Sequence, residues 1–212
     1  MGETWELLDK TTLSSNAGVI RVPHSSGDFA LKDRLYFEMH IINDDVSKGF
    51  DCALTFNGDD AGSGDYGLKY NLNGTSTSKP DQGNISYMVW SPVGASEIYV
   101  TGTISNIDGQ PHLIISTSVV NLGDDGTPSD SLTLPNYVHI SGRWDNTDQI
   151  KNITLTQGGG DTNLGADSTI TVFGNQPTAI PPDISNGSVF ITSDTNVHYM
   201  FNSSAGTWNE VA

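Results

Sequence analysis

A single cysteine, Cys52, leaves no partner for an intrachain disulfide, so the fold has to rest on an apolar core. The alternation Cys52, Leu54, Phe56 assigns that thiol to the core as a small apolar side chain. Basic residues are scarce as well: 9 Lys and Arg stand against 25 Asp and Glu, a formal net charge of −16 over 212 residues. Such a surface repels phosphate backbones, which argues against nucleic-acid binding, and it keeps a β-rich chain soluble in a crowded assembly. No apolar run approaches the ~18 residues of a membrane-spanning helix, so membrane insertion is not expected. The opening MGETWELLDK has neither a cationic start nor an apolar h-region, and Sec-type secretion is not expected. Work outside the cell would then depend on lysis. Helical periodicity is also missing, since no stretch at 3.6-residue spacing is long enough to carry an element.

Catalytic and metal motifs are equally thin. The histidines, His24, His40, His112, His139 and His198, stand singly, without HxH, HExxH or a cysteine partner, which argues against zinc. There is no GxSxG, no Walker loop and no GxGxxG after a strand, and Gly62 to Gly64 and Gly158 to Gly160 read as flexible hairpin tips. The adjacent acids Asp44-Asp45, Asp59-Asp60 and Asp124-Asp125 have the composition of turns and no burial signal that would raise one carboxyl for glycosidase chemistry. The chain is read as non-enzymatic, with no cofactor apart from a candidate calcium ion. Asn57, Asp59, Asp60 and Asp65 offer four oxygen donors within one loop, a set that suits Ca²⁺ although its spacing is not that of an EF-hand. A plain solvated loop is the competing reading. The N-x-S/T sequons at Asn73, Asn84, Asn152, Asn186 and Asn202 follow from a composition rich in Asn, Ser and Thr.

What is present is alternation. Leu35, Phe37, Met39 and Ile41 alternate with Tyr36, Glu38, His40 and Ile42, the pattern of a strand with one buried face. Val138, Ile140 and Trp144 share a parity opposite Tyr137, His139, Ser141 and Arg143, and a tryptophan at that parity belongs in a core. Further strand candidates are Trp5 to Leu8, Val19 to Val22 closed by Pro23, Cys52 to Phe56, Tyr66 to Leu72, Asn84 to Trp90, Glu97 to Ile104 and Leu113 to Val120. Residues 75 to 83 read as a polar loop. Ile150 to Thr156 and Ser168 to Phe173, joined by a glycine-rich loop and closed by Gly174, read as a final hairpin. About ten short strands with frequent turn signals predict an all-β, antiparallel, jelly-roll-like β-sandwich over residues 1 to 174. Three prolines mark 175 to 182 as an extended linker, and residues 183 to 212 follow as a small β-meander.

The stretch Gly142, Arg143, Trp144, Thr147, Ile150, Ile153, then Gly158 to Gly160, Gly165, Ala166, Ser168, Ile170, Val172 and Gly174, resembles the last strands of β-sandwich domains in surface, fibre and decoration proteins of tailed phages and related viruses. The opening Trp5-Glu6-Leu7-Leu8 and the Phe56-Asn57-Gly58-Asp59 turn extend the resemblance, whereas Lys79 to Pro135 matches no pattern. Gly187, Phe190, Ser193, Asp194, Thr195, Tyr199, Phe201 and Trp208 resemble a β-meander found at the ends of phage and archaeal virion proteins. The resemblance implies a virion-surface structural protein: a capsid decoration, head-fibre or tail-fibre subunit. It also implies self-association, with a trimer usual for such fibres, and contact with other virion proteins such as the capsid. A meander of this size is marginal alone, so Phe190, Tyr199, Phe201 and Trp208 are expected to pack on a neighbour. The alternative is a carbohydrate- or receptor-binding module for cell-surface glycans, with Tyr66, Tyr70, Tyr87, Trp90 and Tyr99 as candidate sugar platforms. A row of exposed aromatics would favour the glycan reading and an apolar flank would favour assembly.

Overall fold

The computed structural model describes residues 5–23, 29, 32–59, 64–91, 95–122, 135–158, 162–175, 189–191, 198–202 and 207–211. Among the described residues all regular structure is β, and the chain forms two compact units, Met1–Gln176 and Pro177–Ala212. The first unit is an antiparallel β-sandwich. Its larger layer is an eight-stranded sheet built from β1 (Glu6–Thr12), β3 (Arg34–Ile42), β5 (Tyr66–Leu72), β6 (Thr75–Gln82), β8 (Ala95–Ser105), β9 (His112–Leu122), β10 (Asn136–Trp144) and β12 (Thr169–Asn175), in the order β1-β12-β3-β8-β9-β10-β5-β6. The smaller layer holds β2 (Val19–Val22), β4 (Phe50–Phe56), β7 (Ile85–Ser91) and β11 (Ile153–Gln157), in the order β2-β11-β4-β7. Strand β7 lies against β8, β9, β10 and β5, and β2 against β1 and β12.

The alternation read from the sequence is the alternation that is buried. Leu35, Phe37, Met39 and Ile41 of β3 and Val138, Ile140 and Trp144 of β10 all face the core, as do Ile153 and Leu155 of β11. Cys52 is fully buried, and burial pushes its thiol well above the ordinary range, which leaves it unreactive. The layers close because the inner face of the large sheet is thinned at chosen points. A Cβ on Gly102 would overlap Phe37 Cζ and sit 2.8 Å from the Ile115 carbonyl oxygen, and one on Gly142 would lie 2.6 Å from Ile85 Cδ1. Phe37 and Ile85 therefore occupy the space that side chains at these two positions would need.

Three elements differ from the sequence expectation. The runs at 150–156 and 168–173 do not form a hairpin: β11 pairs with β2 and β4, whereas β12 pairs with β1 and β3 in the other sheet, so the glycine-rich loop crosses between layers. Strand β11 begins at Ile153 rather than Ile150, because two asparagine side chains take the backbone amides that a ladder would use. Asn106 Oδ1 accepts from Ile150, and Asn57 Oδ1 accepts from Lys151 and Asn152. Residues 75–82 are a strand, not a loop. As the sheet edge, β6 is held by backbone pairing to β5 alone and needs no apolar face; its Lys79 and Pro80 suit an edge that must not recruit another strand.

The second unit carries β13 (Val189–Ile191), β14 (His198–Asn202) and β15 (Thr207–Val211) in one antiparallel meander. Asn175, expected as the first residue of the 175 to 182 linker, is instead the last residue of β12, paired with Arg34; the rest of that linker and the turn expected at Ser193 to Asn196 lie outside the described residues.

Candidate binding surface

Two of the four side chains proposed for calcium, Asn57 and Asp59, make hydrogen bonds within the protein. Asn57, at φ 55°, donates through its amide to the Gln149 carbonyl and accepts the Lys151 and Asn152 amides just before β11, so both ends of its side chain are committed. The Asp59 carboxylate accepts the Trp144 indole N–H at 2.7 Å, and its carbonyl accepts the Tyr66 hydroxyl, which in turn accepts the Phe56 amide. Trp144 is buried among Phe56, Tyr66 and His112, with ring centroids 5.2 to 6.1 Å away. The expected donor set is thereby divided: Asn57 holds the segment before β11, and Asp59 caps an aromatic cluster. Asp60 lies outside the described residues, and Asp65 joins the loop through its carbonyl, which accepts the Asp145 amide. Among the described residues no group of three or more His, Cys, Asp or Glu is placed to hold a metal ion.

The candidate sugar platforms also separate. Tyr66 is 1% exposed and cannot meet a ligand, a correction that follows from its place beneath Asp59. Tyr70 is half-buried and packs against the core. The side chains of Tyr87 and Trp90 lie outside the described residues. Of the set's described side chains, Tyr99 is the exposed one, 51% exposed and stacked on His40 at 4.6 Å.

Tyr99 belongs to a surface that the sequence reading did not single out. Strand β9 buries Ile114, Ser116, Ser118 and Val120 and turns Leu113, Ile115 and Val119 outward into solvent. Register carries this apolar band across the outer face of the large sheet. One row runs Tyr137, Val119, Tyr99, His40, and a second runs Ile115, Thr103, Tyr36, Phe173, Leu7. Between them lies a polar row of His139, Thr117, Thr101, Glu38 and Thr171, in which the Thr117 hydroxyl and His139 Nδ1 are 3.1 Å apart.

At the β1 end of this face Trp5, Tyr36, Phe173 and Glu38 line a shallow cleft of about 350 Å³. The Trp5 and Tyr36 rings meet edge to face at 6.0 Å and 64°, and Tyr36 and Phe173 lie 5.9 Å apart at 37°. The Tyr36 hydroxyl donates to Glu38 Oε1 at 3.0 Å. Burial raises the Tyr36 phenol above its ordinary range, and the bond to Glu38 and that carboxylate's charge add to the effect, so the ring stays neutral. The outward parity of Tyr36 and Glu38 was legible in β3. The approach of Trp5 to Phe173 was not, because it depends on pairing β1 with β12.

In the C-terminal meander the backbone pairs Phe190 with Tyr199 and Phe201 with Trp208, so all four positions named for assembly share one parity. Phe201 is buried and Tyr199 half-buried; the side chains of Phe190 and Trp208 lie outside the described residues. On the opposite parity Val189 and Met200 are exposed. The chain matches no protein-family model and no curated protein.

Proposed function

We propose that this chain is a non-catalytic structural subunit of a larger assembly on a virus particle, a capsid-decoration or fibre protein that associates with copies of itself. The observation that carries the reading is the outward apolar band of β9. A strand that buries Ile114 and Val120 while exposing Leu113, Ile115 and Val119 is apolar on both faces, and the outward face is left uncovered by the chain's own core. With Tyr99 and Tyr137 beside it, the band spans several strands at the usual ~4.8 Å spacing, a platform on the order of 15 to 20 Å wide. The β6 edge, blunted by Lys79 and Pro80, fits an assembly made through sheet faces. The virion setting rests on the motif resemblance around Trp144 and in the meander.

The test is absolute mass by light scattering on the full chain and on Ile115→Lys. A trimer or larger assembly that dissociates in the variant, with the melting temperature kept, is the expected result. A wild-type chain that is monomeric at every accessible concentration refutes assembly through this face. A glycan-binding reading is favoured by one observation, the exposed Tyr99 stacked on His40, and a glycan array on Tyr99→Ala against the parent chain separates the two readings.

A further inference from the structure

The cleft at the β1 end of the large sheet carries an inference independent of assembly. Its walls are the rings of Trp5, Tyr36 and Phe173, and its rim is the Glu38 carboxylate. Aromatic faces carry the negative side of the ring quadrupole, so walls and rim present the same sign of potential to whatever enters. Among the described residues no cationic side chain lines the cleft, and the chain as a whole is at −16. An anionic ligand is therefore repelled at long range and again at contact.

A neutral sugar fits the remaining chemistry poorly. Saccharide recognition needs several directed hydrogen bonds, and here the Tyr36 hydroxyl already donates to Glu38, leaving the carboxylate as the main polar partner. A methylated ammonium group asks for less. Its charge is spread over methyl groups that have no N–H to satisfy, so little hydration is lost on entry. The methyls contact ring faces, and one carboxylate balances the charge. Trp5 meets Tyr36 at 64°, which makes two walls of a corner, and Phe173 extends the Tyr36 side. At about 350 Å³ the corner has room for a trimethylammonium head and part of its alkyl stem.

We infer that the Trp5–Tyr36–Phe173–Glu38 cleft is a binding site for a quaternary ammonium group of the choline type. The site faces solvent, with Trp5 40% exposed, and it needs no rearrangement of the core to be occupied.

The full chain is titrated with choline chloride at constant ionic strength, read by the indole N–H resonances and by calorimetry. In parallel it is titrated with 3,3-dimethyl-1-butanol, the uncharged analogue of the same shape, and with methyl glucoside. Saturable choline binding is expected, about tenfold or more tighter than the uncharged analogue, the difference a partly desolvated cation–π contact supports. Trp5→Ala and Glu38→Gln are each expected to weaken choline binding several-fold with the melting temperature unchanged, since neither side chain belongs to the core. Choline that fails to saturate, equal binding of the uncharged analogue, tighter binding of the glucoside, or full retention in both variants overturns the assignment. Because Ile115 lies two strands from Tyr36 on the same face, the titration is repeated in Ile115→Ser, which removes the apolar side chain without adding charge; choline binding kept there is expected, so that failure of assembly leaves this result intact.

Discussion

Gly102→Ala is expected to be among the most costly single-methyl changes in the sandwich. The added Cβ would overlap Phe37 Cζ, a side chain that can rotate only into an already filled core, and would sit 2.8 Å from the Ile115 carbonyl oxygen, which belongs to the β9 ladder. Overpacking of this kind costs about 1–3 kcal/mol, and the backbone contact places the change toward the upper end. For a domain of this size that is a fall in melting temperature of roughly 4–10 °C. The partner variant is Phe37→Leu, which alone leaves a cavity and costs on the order of 1–3 kcal/mol. In the double variant the smaller side chain makes room for the methyl, so the two costs are expected to fall short of their sum by about 1 kcal/mol or more. The comparison site is Gly67→Ala: no atom lies within 4 Å of its Cβ position, and the change is expected to stay within about 0.5 kcal/mol of the parent. Thermal and urea denaturation of the four proteins close the cycle. A Gly102→Ala chain that melts with the parent, or strict additivity with Phe37→Leu, would refute the claim that Phe37 fills the space over Gly102.

Asn57→Ala removes the clamp on residues 149 to 152 and puts a Cβ residue without an amide at φ 55°, so a loss of about 2–4 kcal/mol is expected in urea unfolding. Asn57→Gly, which keeps the backbone relaxed, is expected to cost less, and equal losses would refute the strain component. Asp59→Ala leaves the Trp144 indole N–H without its acceptor and is expected to cost about 1–3 kcal/mol, whereas millimolar Ca²⁺ is expected to leave the melting temperature of the parent unchanged; a calcium-dependent rise would reinstate the metal reading. The Ser47 hydroxyl and amide hold the Asp45 carboxyl below its ordinary range. Since the folded value is the lower one, this contribution is present above the unfolded pKa and is lost as pH falls through the folded value. Carboxyl NMR is expected to show Asp45 titrating low in the parent and moving up in Ser47→Ala; an unmoved titration would refute the cause.

Period-two patterning made the sandwich legible wherever one face is apolar and the other polar, as in β3 and β10. It failed where that contrast is missing. Strand β6 is polar on both faces, so nothing in it distinguishes an edge strand from a loop. Strand β9 has apolar groups on both parities, and only its partners decide that Ile114 turns inward and Ile115 outward. The mistaken hairpin has a different origin. Nearness in sequence favours pairing β11 with β12, but the large sheet offers β12 a slot between β1 and β3, and the longer-range pairing prevails. The hydrogen bonds of Asn57 and Asp59 were not legible, because a loop rich in oxygen donors looks the same whether those donors face solvent, a metal or the protein's own N–H groups. Trp5 was visible as the opening of a strand, while its neighbours Tyr36 and Phe173 come from distant parts of the chain.

The position of β12 between β1 and β3 bears on how the protein is made. On a ribosome adding roughly 5–20 residues per second, Glu6–Thr12 emerges on the order of ten seconds or more before its sheet partner, Thr169–Asn175, has been synthesised. For that interval β3 presents an open edge, with Leu35, Phe37, Met39 and Ile41 on a face that later becomes core, and β1 waits unpaired. The nascent chain is thus most exposed to misassociation just before its sandwich closes. A ribosome stalled ahead of Thr169 would release a chain lacking an interior strand of its largest sheet, a species suited to aggregation or proteolysis rather than to a shortened version of the fold.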